Sequence, residues 1–584
     1  MADSKEGIDP IQVLTDELKN EDVQLRLNSL RQISTIAQAI GQERTRNELV
    51  PFLAEATDDE DEVLLVLAEE LGNLIEFVGG SEYAHKILQP LQNLASVEET
   101  VVREKCVESI VKIARELEEE QIQDYLHPLL KTLSEGEWFT SRSSACGLFA
   151  VTYQSVDDKS KAELRKTFAK LCGDETPMVR RAAAQNLASF VPHIELEFLV
   201  SEFVPLFTKL SKDEQDNVRL FAVDNCVSLA KVFQTEDETL THVLPVFKAT
   251  ISDKSWRVRY MASEKFCQFC ESLGPELTKQ HLVESFVDLL KDYEAEIRTS
   301  ATLKIAEFCS RIRIFREVII EKIMPVIKEL RNDISDHVKA ALASSVTALA
   351  PVIGKDDSVK FLVPLYLDLL KEDIPEVKIN IVSKLDSVTQ VIGIEVLASS
   401  ILPAIVELTD DRQWRVRMSM IEFIPSLAIQ LGVEFFDEKL VELCRTWLMD
   451  SVYKIREIAA KNLKRLTESF GTEWFQSTMM PKVVDLLKHK NYLFRQIAMY
   501  TFTTLAPELG TEFLTKSVLP EITKLKTDSV ANVKMFLAKT LQSLIPYLEE
   551  NTIQTDVKSC LSELSKSDDN DVKSYANQAL SKCS

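Results

Sequence analysis

The chain has 584 residues, of which 45% are hydrophobic and 27% charged, and its formal net charge is −24. This composition is typical of a folded, soluble protein, and the negative charge argues against nucleic-acid binding, which needs a basic surface to neutralise phosphates. No run of 18 apolar residues occurs, so no membrane span is expected. Only 14 glycines are available for the tight turns and phosphate-binding loops of an α/β enzyme, whereas helix-favouring Leu, Ala, Glu, Lys and Ile dominate.

The ten cysteines are scattered among apolar neighbours without a regular spacing. This usage predicts buried, reduced thiols rather than a disulfide framework. The first residues, MADSKEG, lack the basic and then apolar pattern of a secretory signal. We therefore expect a cytoplasmic protein that is also present in the nucleus.

One helical pattern recurs along the chain: an apolar residue followed by Arg or Lys, with small or apolar residues four and eight places later. These three positions share one face of a helix, so each copy predicts the second helix of a hairpin. The last six steps between copies are each 39 residues long. The first residues of the copies are Leu25, Val63, Val102, Ser141, Val179, Val218, Val258, Ile297, Val338, Val377, Val416, Ile455, Phe494, Val533 and Val572.

Two further residue types keep a fixed distance from this pattern. An Asp often stands five places before the first residue of a copy, where it predicts a short turn. A proline often stands about thirteen places before it, where it predicts a bend in the first helix of the hairpin. The aspartates are Asp58, Asp174, Asp213, Asp253, Asp292, Asp333, Asp411, Asp450 and Asp528, and the prolines are Pro128, Pro205, Pro245, Pro325, Pro364, Pro403, Pro481 and Pro520.

A unit of helix, turn and helix with a length of roughly 39 residues matches HEAT or armadillo repeats. Stacked hairpins of this kind bury one continuous core. The prediction is an all-α fold, a right-handed α-solenoid of about 15 HEAT repeats in which residues 1–584 form a single domain. The aligned Asp and Arg positions also predict a polar ladder between successive turns, each exposed pair contributing roughly 0.2–1 kcal/mol.

The sequence contains no pattern that indicates catalysis, a metal site or a cofactor. It has no Walker A loop, no GxGxxG and no HExxH motif. The CxxC pair Cys267 and Cys270 lies in a predicted second helix without a second cysteine pair nearby, so helix packing is favoured over zinc or dithiol chemistry. No catalytic residue, no metal and no cofactor is expected.

Five aromatic residues stand in the predicted turns, two or three places before the first residue of a copy: Trp138, Trp256, Trp414, Tyr453 and Tyr492. The core positions are accounted for elsewhere in the pattern, so these rings are expected at the edge of the stack. For any one ring, packing back over its own turn remains an alternative to binding. For the set, a ridge of protein-binding anchors is favoured.

Several segments closely resemble the scaffold (regulatory A) subunits of type-2A serine/threonine protein phosphatases. They are EDVQLRLNS (21–29), TPMVRRAAA (176–184), DKSWRVRYM (253–261), WRVR (414–417) and GVEFFDEKL (432–440). The resemblance covers essentially the whole chain in the same repeat register. It implies a non-catalytic scaffold that tethers a phosphatase catalytic subunit and a variable regulatory (B-type) subunit.

The resemblance also implies a division of the solenoid into two binding regions. Repeats 1–10, residues 9–400, would bind the regulatory subunit, and repeats 11–15, residues 401–584, would bind the catalytic subunit. The implied catalytic-subunit contacts are Trp414, Arg415, Tyr492, Arg495, Val530 and Asn532. The implied regulatory-subunit contacts are Glu98, Glu99, Trp138, Phe139, Thr176, Pro177, Asp213, Glu214, Trp256 and Arg257.

Two other classes of protein remain as alternatives. A nuclear-transport receptor or cargo adaptor is also an acidic HEAT solenoid, but such receptors are usually longer and less regular. An enzyme built on helical repeats would need a pocket with converging titratable groups, and the sequence shows no such cluster.

Overall fold

The computed structural model describes residues 10–233, 235–312 and 315–583, so both ends of the predicted array lie outside the described residues. Within these ranges the chain contains helices and no strand. It divides into two compact units, one up to Ala301 and one from Thr302 on. Each unit consists of consecutive helical hairpins, and the predicted all-α repeat solenoid class is confirmed.

The second helices of the hairpins carry the recurring pattern. In chain order they are Val23–Arg31 with Ile33–Ile40, Asp61–Leu71, Thr100–Ala114, Phe139–Ala145 with Phe149–Thr152, Pro177–Phe190, Asp216–Arg219 with Ala222–Val232, Trp256–His281, Ala295–Leu303 with Ile305–Arg311, Asp336–Ile353, Pro375–Val382 with Leu385–Ile392, Trp414–Leu431, Tyr453–Phe470, Tyr492–Leu509, Ala531–Leu544 and Asn570–Leu580. The segment Trp256–His281 is kinked at Gly274, where the second helix ends and the first helix of the next hairpin begins. The first residue of the pattern is buried in most copies. Leu25, at 47% exposure, contradicts the prediction, because the first hairpin has no preceding hairpin among the described residues to cover it. Phe494 is half-buried.

The first helices are shorter and more interrupted. They are Pro10–Leu18, Gln42–Arg44 with Val50–Glu55, Leu88–Leu94, Glu119–Gln121 with His127–Ser134, Asp158–Leu171, Leu196–Phe198 with Val204–Leu210, Glu236–Glu238 with Leu244–Ile251, Val283–Leu290, Arg316–Val318 with Met324–Leu330, Lys355–Asp357 with Val363–Leu370, Ile394–Val396 with Leu402–Glu407, Val433–Lys439 with Val441–Leu448, Thr472–Trp474 with Met480–Leu487, Thr511–Phe513 with Leu519–Ile522, and Glu550–Thr552 with Lys558–Leu564. Single 3₁₀ turns occupy Glu76–Val78, Gly80–Glu82, Ala84–Ile87, Tyr153–Ser155, Val191–His193, Leu408–Asp410, Thr523–Thr527 and Ile545–Tyr547.

The prolines of the first helices follow π-helical turns of five residues. The backbone N–H of Val204, for example, donates to the carbonyl of Leu199, five residues back, immediately before Pro205. Proline removes a helical hydrogen bond and its ring crowds the carbonyl four residues back, and the wider turn accommodates both effects. The π turns are Thr45–Leu49, Ile122–Leu126, Leu199–Phe203, Thr239–Val243, Ile319–Ile323, Ser358–Leu362, Leu397–Ile401, Phe475–Met479, Leu514–Val518 and Ile553–Val557, and only the last lacks a proline two residues later.

Aromatic side chains join successive hairpins in the first unit. Phe190, which is 1% exposed, contacts Phe149, Phe168 and Phe203 at ring-centroid distances of 5.6, 5.0 and 5.4 Å. It also meets Tyr153 edge-on at 5.3 Å. These rings come from three consecutive repeats, so one side chain holds three hairpins together.

Among the described residues, no single helix is both long and apolar enough to cross a membrane. One pair of segments, Leu385–Ile392 with Ile394–Asp410, satisfies length and composition together, but it is bent by 115°.

Candidate protein-binding turns

The turns between the first and second helices, which we call the turn edge, are held by ion pairs from one repeat to the next. In the first unit, Arg219 Nε and Nη2 each donate to a carboxylate oxygen of Asp253 at 2.8 Å. Arg219 Nη1 donates to the carbonyl of Asp213, 2.9 Å away in its own turn, and Asp253 accepts from the backbone N–H of Ser255 at 2.8 Å. Asp253 therefore caps its own turn and binds the preceding repeat.

The predicted ladder is thus confirmed, and its equivalent pairs, which we call rungs, recur in both units. In the first unit they are Arg142–Asp174, Arg180–Asp213, Arg219–Asp253 and Arg259–Asp292, with a related pair Arg26–Asp59. In the second unit they are Lys339–Glu372, Lys378–Asp411, Arg417–Asp450 and Arg495–Asp528.

The expectation that these pairs are exposed is wrong. The side chains of Arg259 and Asp292 are only 4% and 8% exposed, because the helices of adjacent repeats close over them. Burial alone would raise the pKa of Asp253, yet hydrogen bonds from Arg219 and from the backbone of Ser255 hold the pKa of this carboxyl below its usual value. Breaking such a pair leaves a buried, uncompensated charge, which costs more than breaking a surface pair.

Two arginines of the ladder face no acid in the next turn. Gly136 stands opposite Arg103, and His489 stands opposite Arg456, at the position where most of the other repeats have Asp or Glu. Burial lowers the pKa of both arginines, whereas the hydrogen bond to Asp253 raises the pKa of Arg219. The only sign of these gaps in the sequence is that the series of aspartates skips both positions.

The turn edge of the first unit is aromatic and acidic. Trp138 is 73% exposed and Trp256 is 45% exposed, and each lies at the start of a second helix. Arg257 lies over the Trp256 ring at 5.9 Å from its centroid. Of the other predicted contacts, Glu98, Phe139 and Glu214 are exposed, Glu99, Thr176 and Pro177 are half-buried, and Asp213 is engaged in a rung with Arg180.

The turn edge of the second unit, over repeats 11 to 13, is aromatic and basic. Tyr453 and Tyr492 are 60% and 37% exposed, while Trp414 is half-buried with Arg415 over its ring at 5.3 Å. Exposed cations here are Arg412, Arg415, Lys454, Lys488 and Lys490. Of the remaining predicted contacts, Asn532 is exposed and Val530 is half-buried, whereas Arg495 is buried in its rung with Asp528.

Two exposed turn residues were missed by the sequence prediction. Tyr293 is 75% exposed and its ring lies 4.3 Å from the guanidinium carbon of Arg259. Ile334 is 95% exposed. The prediction covered only aromatic residues two or three places before the first residue of a copy. Tyr293 was missed because it stands four places before Ile297, and Ile334 was missed because it is not aromatic.

The described residues contain no group of three or more His, Cys, Asp or Glu side chains arranged to hold a metal ion. Cys267 and Cys270 are 2% and 1% exposed within the helix Trp256–His281, as expected for packing residues. An open groove of about 330 Å³ lies between the second helices of repeats 3 to 5, with Arg103 and Asn186 in its lining. The turns therefore remain the best candidate for a functional surface.

Comparison with known proteins agrees with this architecture. A family model described as PPP2R1A-like HEAT repeat matches residues 275–354, and a HEAT repeat model matches residues 164–194 and 243–273. The solved structure of Kap121p bound to Pho4p superposes with a TM-score of 0.58 over 92% of this chain and 57% of that one. At 14% identity this likeness shows the fold alone.

Two curated relatives are much more similar in sequence. The regulatory A subunit of protein phosphatase PP2A from Schizosaccharomyces pombe is 50% identical over 271 residues, which is 46% of either chain. The beta isoform of the human 65 kDa regulatory A subunit of serine/threonine-protein phosphatase 2A is 50% identical over 366 residues, 62% of this chain and 61% of the human one. The matches thus span from about half to three fifths of the length of these relatives. The chain thus contains HEAT repeats and is similar, over the matched stretches, to the regulatory A subunits of protein phosphatase 2A.

Proposed function

We propose that this protein is the non-catalytic scaffold of a serine/threonine phosphatase. Its turn edge over repeats 11 to 15 binds the catalytic subunit, and its N-terminal turns bind one variable regulatory (B-type) subunit. The assembly acts in the cytoplasm and the nucleus. Sequence similarity to the regulatory A subunits supports the class of partner.

The observation that carries the proposal is the exposure of large aromatic rings along turns that buried ion pairs hold in place. Tryptophan and tyrosine are enriched at the energetic centres of protein interfaces because they bury a large area with few rotatable bonds. A rigid turn loses little conformational entropy when a partner binds. Trp138 and Trp256 in one unit and Tyr453 in the other are all of this kind.

The difference in charge between the two regions favours two different partners. The turns of repeats 3 to 6 carry the exposed carboxylates Glu98, Glu137, Glu175 and Glu214, whereas those of repeats 11 to 13 carry exposed cations. Complementary charge steers association and disfavours the wrong partner. One chain can therefore hold two subunits without competition between them.

Catalysis is then promoted by tethering. When a substrate-selecting subunit and a catalytic subunit share one scaffold, their encounter becomes intramolecular, with an effective concentration on the order of millimolar. The scaffold itself needs no reactive group.

The test is a binding measurement with a purified phosphatase catalytic subunit. Trp414→Ala should weaken binding by roughly 30-fold or more, as expected for loss of an aromatic anchor worth about 2 kcal/mol. Trp138→Ala removes an exposed indole from the other region and should leave catalytic-subunit affinity unchanged while reducing that for a B-type subunit. Equal loss from both variants, or no loss from either, contradicts the assignment of the two regions.

A further inference from the structure

In two rungs of the second unit, the arginine binds both its own turn and the acid of the next repeat. Arg417 donates through Nε and Nη2 to Asp450 at 2.8 and 2.9 Å, and through Nη1 to the carbonyl of Asp411 at 2.8 Å. Arg495 lies 2.8 Å from Asp528 through Nε, and its Nη1 donates to the carbonyl of His489 at 2.7 Å. One side of each guanidinium is thus fixed by its own turn, and the other side binds the acid of the next repeat.

The arginine between these two rungs, Arg456, has only the first half of this arrangement. Its Nη1 donates to the carbonyls of Asp450 and Ser451 at 2.8 and 3.1 Å, so the side chain is positioned like its neighbours. It is only 4% exposed, and whereas Arg495 pairs with Asp528, none of the described carboxylates pairs with Arg456. The Nε atoms of both arginines lack a hydrogen bond of good geometry, so the missing carboxylate is what distinguishes Arg456. One edge of the buried guanidinium therefore lacks an acceptor. This lowers the stability of the folded protein, and a bound anion would remove the loss.

His489 stands where the other rungs have an acid. It caps its own turn as that acid does, but it forms no ion pair with the arginine of the preceding repeat. Its Nδ1 accepts from the backbone N–H of Asn491 at 3.0 Å, as the Asp side chains do in other turns. It supplies no negative charge for Arg456. The turn is thus closed in the usual way while the guanidinium remains uncompensated.

The groups around this gap are cationic. Lys488 and Lys490 flank His489 and are exposed. The acids nearest to Arg456 in sequence are already engaged, since Asp450 binds Arg417, and Glu457 binds Lys454 and Lys461. Tyr453, 60% exposed, places its ring 5.6 Å from the Arg456 guanidinium carbon and shields the cation on one side.

We propose that Arg456, Lys488 and Lys490 form an oxyanion-binding site whose ligand is a carboxylate side chain of the docked catalytic subunit. The partner's acid takes the place that an Asp of the next repeat takes in the other rungs. The identity of the partner rests on the proposed function, whereas the anion site rests on the geometry of Arg456 and on the two exposed lysines beside His489. A partner acid bound here contacts a preformed, buried donor, so it contributes more than an acid on an open surface.

Two substitutions of one residue separate charge from turn capping. His489→Asp restores the acid and should pair with Arg456 within the chain, which fills the site. His489→Asn is the matched control, because its amide oxygen can cap the turn as His489 Nδ1 does but carries no charge.

The first measurement is hydrogen exchange of the full chain, titrated with inorganic phosphate against chloride at equal ionic strength. In the wild type and in His489→Asn, phosphate should slow exchange saturably in segments 450–460 and 488–498. His489→Asp should show this protection without phosphate and no further response. No phosphate response in the wild type, or the same response in His489→Asp, overturns the anion site.

The second measurement is the affinity of each variant for the catalytic subunit. His489→Asp should bind on the order of tenfold more weakly than His489→Asn, because the partner's carboxylate meets an occupied site. Equal affinities overturn the assignment of the ligand to a partner carboxylate. If the wild type binds no catalytic subunit, the proposed function fails, and the phosphate titration still decides the site.

Discussion

Replacing Asp253 by Asn is expected to destabilise the sixth and seventh repeats by about 3 kcal/mol, the usual effect of removing one partner of a buried ion pair. Arg219 is 5% exposed and directs both Nε and Nη2 at this carboxylate. The side-chain oxygen of Asn can still accept from the backbone N–H of Ser255 and cap the turn. The loss of stability is therefore due to the unpaired guanidinium of Arg219.

The measurement is urea unfolding combined with hydrogen exchange of segments 216–232 and 253–266, because repeat proteins need not unfold in one step. Glu512→Gln is the control: it removes the same charge from the pair with Lys516, whose side chains are 80% and 72% exposed. This control should leave the unfolding curve unchanged. Equal effects of the two variants would show that the rungs are ordinary surface pairs.

Replacing Phe190 by Ala is expected to cost about 4 kcal/mol, within the range for truncating a buried phenylalanine. The ring is 1% exposed and meets four other rings from three repeats, so the cavity has no simple way to collapse. Adjacent hairpins should lose their common core, and the first unit should unfold in a broader transition.

Thermal and urea unfolding check this result, with Trp138→Ala as the matched aromatic truncation. Trp138 is 73% exposed, so its loss removes little buried area and should leave stability unchanged. A large loss of stability in Trp138→Ala would mean that this ring packs on its turn rather than serving as a binding anchor. An unchanged Phe190→Ala would contradict the packing of the first unit.

The sequence predicts the repeat well because each residue of the pattern has a local physical reason. Val258 must face the core of its helix, Asp253 must cap a turn five residues earlier, and Arg259 must follow Val258 to reach the next turn. The rings of Trp138 and Trp256 lie outside that pattern, and the structure exposes both.

Features that depend on contact between repeats could not be predicted in the same way. The ladder was expected at the surface, but its burial depends on how closely adjacent helices approach.

The π turns before the prolines reflect a hydrogen-bond shift that composition does not encode. A glycine stands every 39 residues from Gly354 to Gly510, at the junctions between repeats. Its φ lies between 76° and 92°, a conformation that glycine adopts more easily than other residues, and this requirement is visible only in the structure.

The anion site proposed at Arg456 coincides with a departure from the regular pattern at His489. In a chain whose turns repeat an acid at one position, a histidine there leaves Arg456 without its usual acceptor. A departure from the repeat is therefore as informative as the repeat itself.

The most direct test of the scaffold account is the mass of the complex formed when the wild-type chain, a phosphatase catalytic subunit and one B-type subunit are mixed at equal concentration. Size-exclusion chromatography with light scattering should show a single 1:1:1 species, and omission of this chain should leave the other two subunits separate. If neither subunit co-elutes with the chain, the scaffold account is contradicted, and only the HEAT-repeat fold remains.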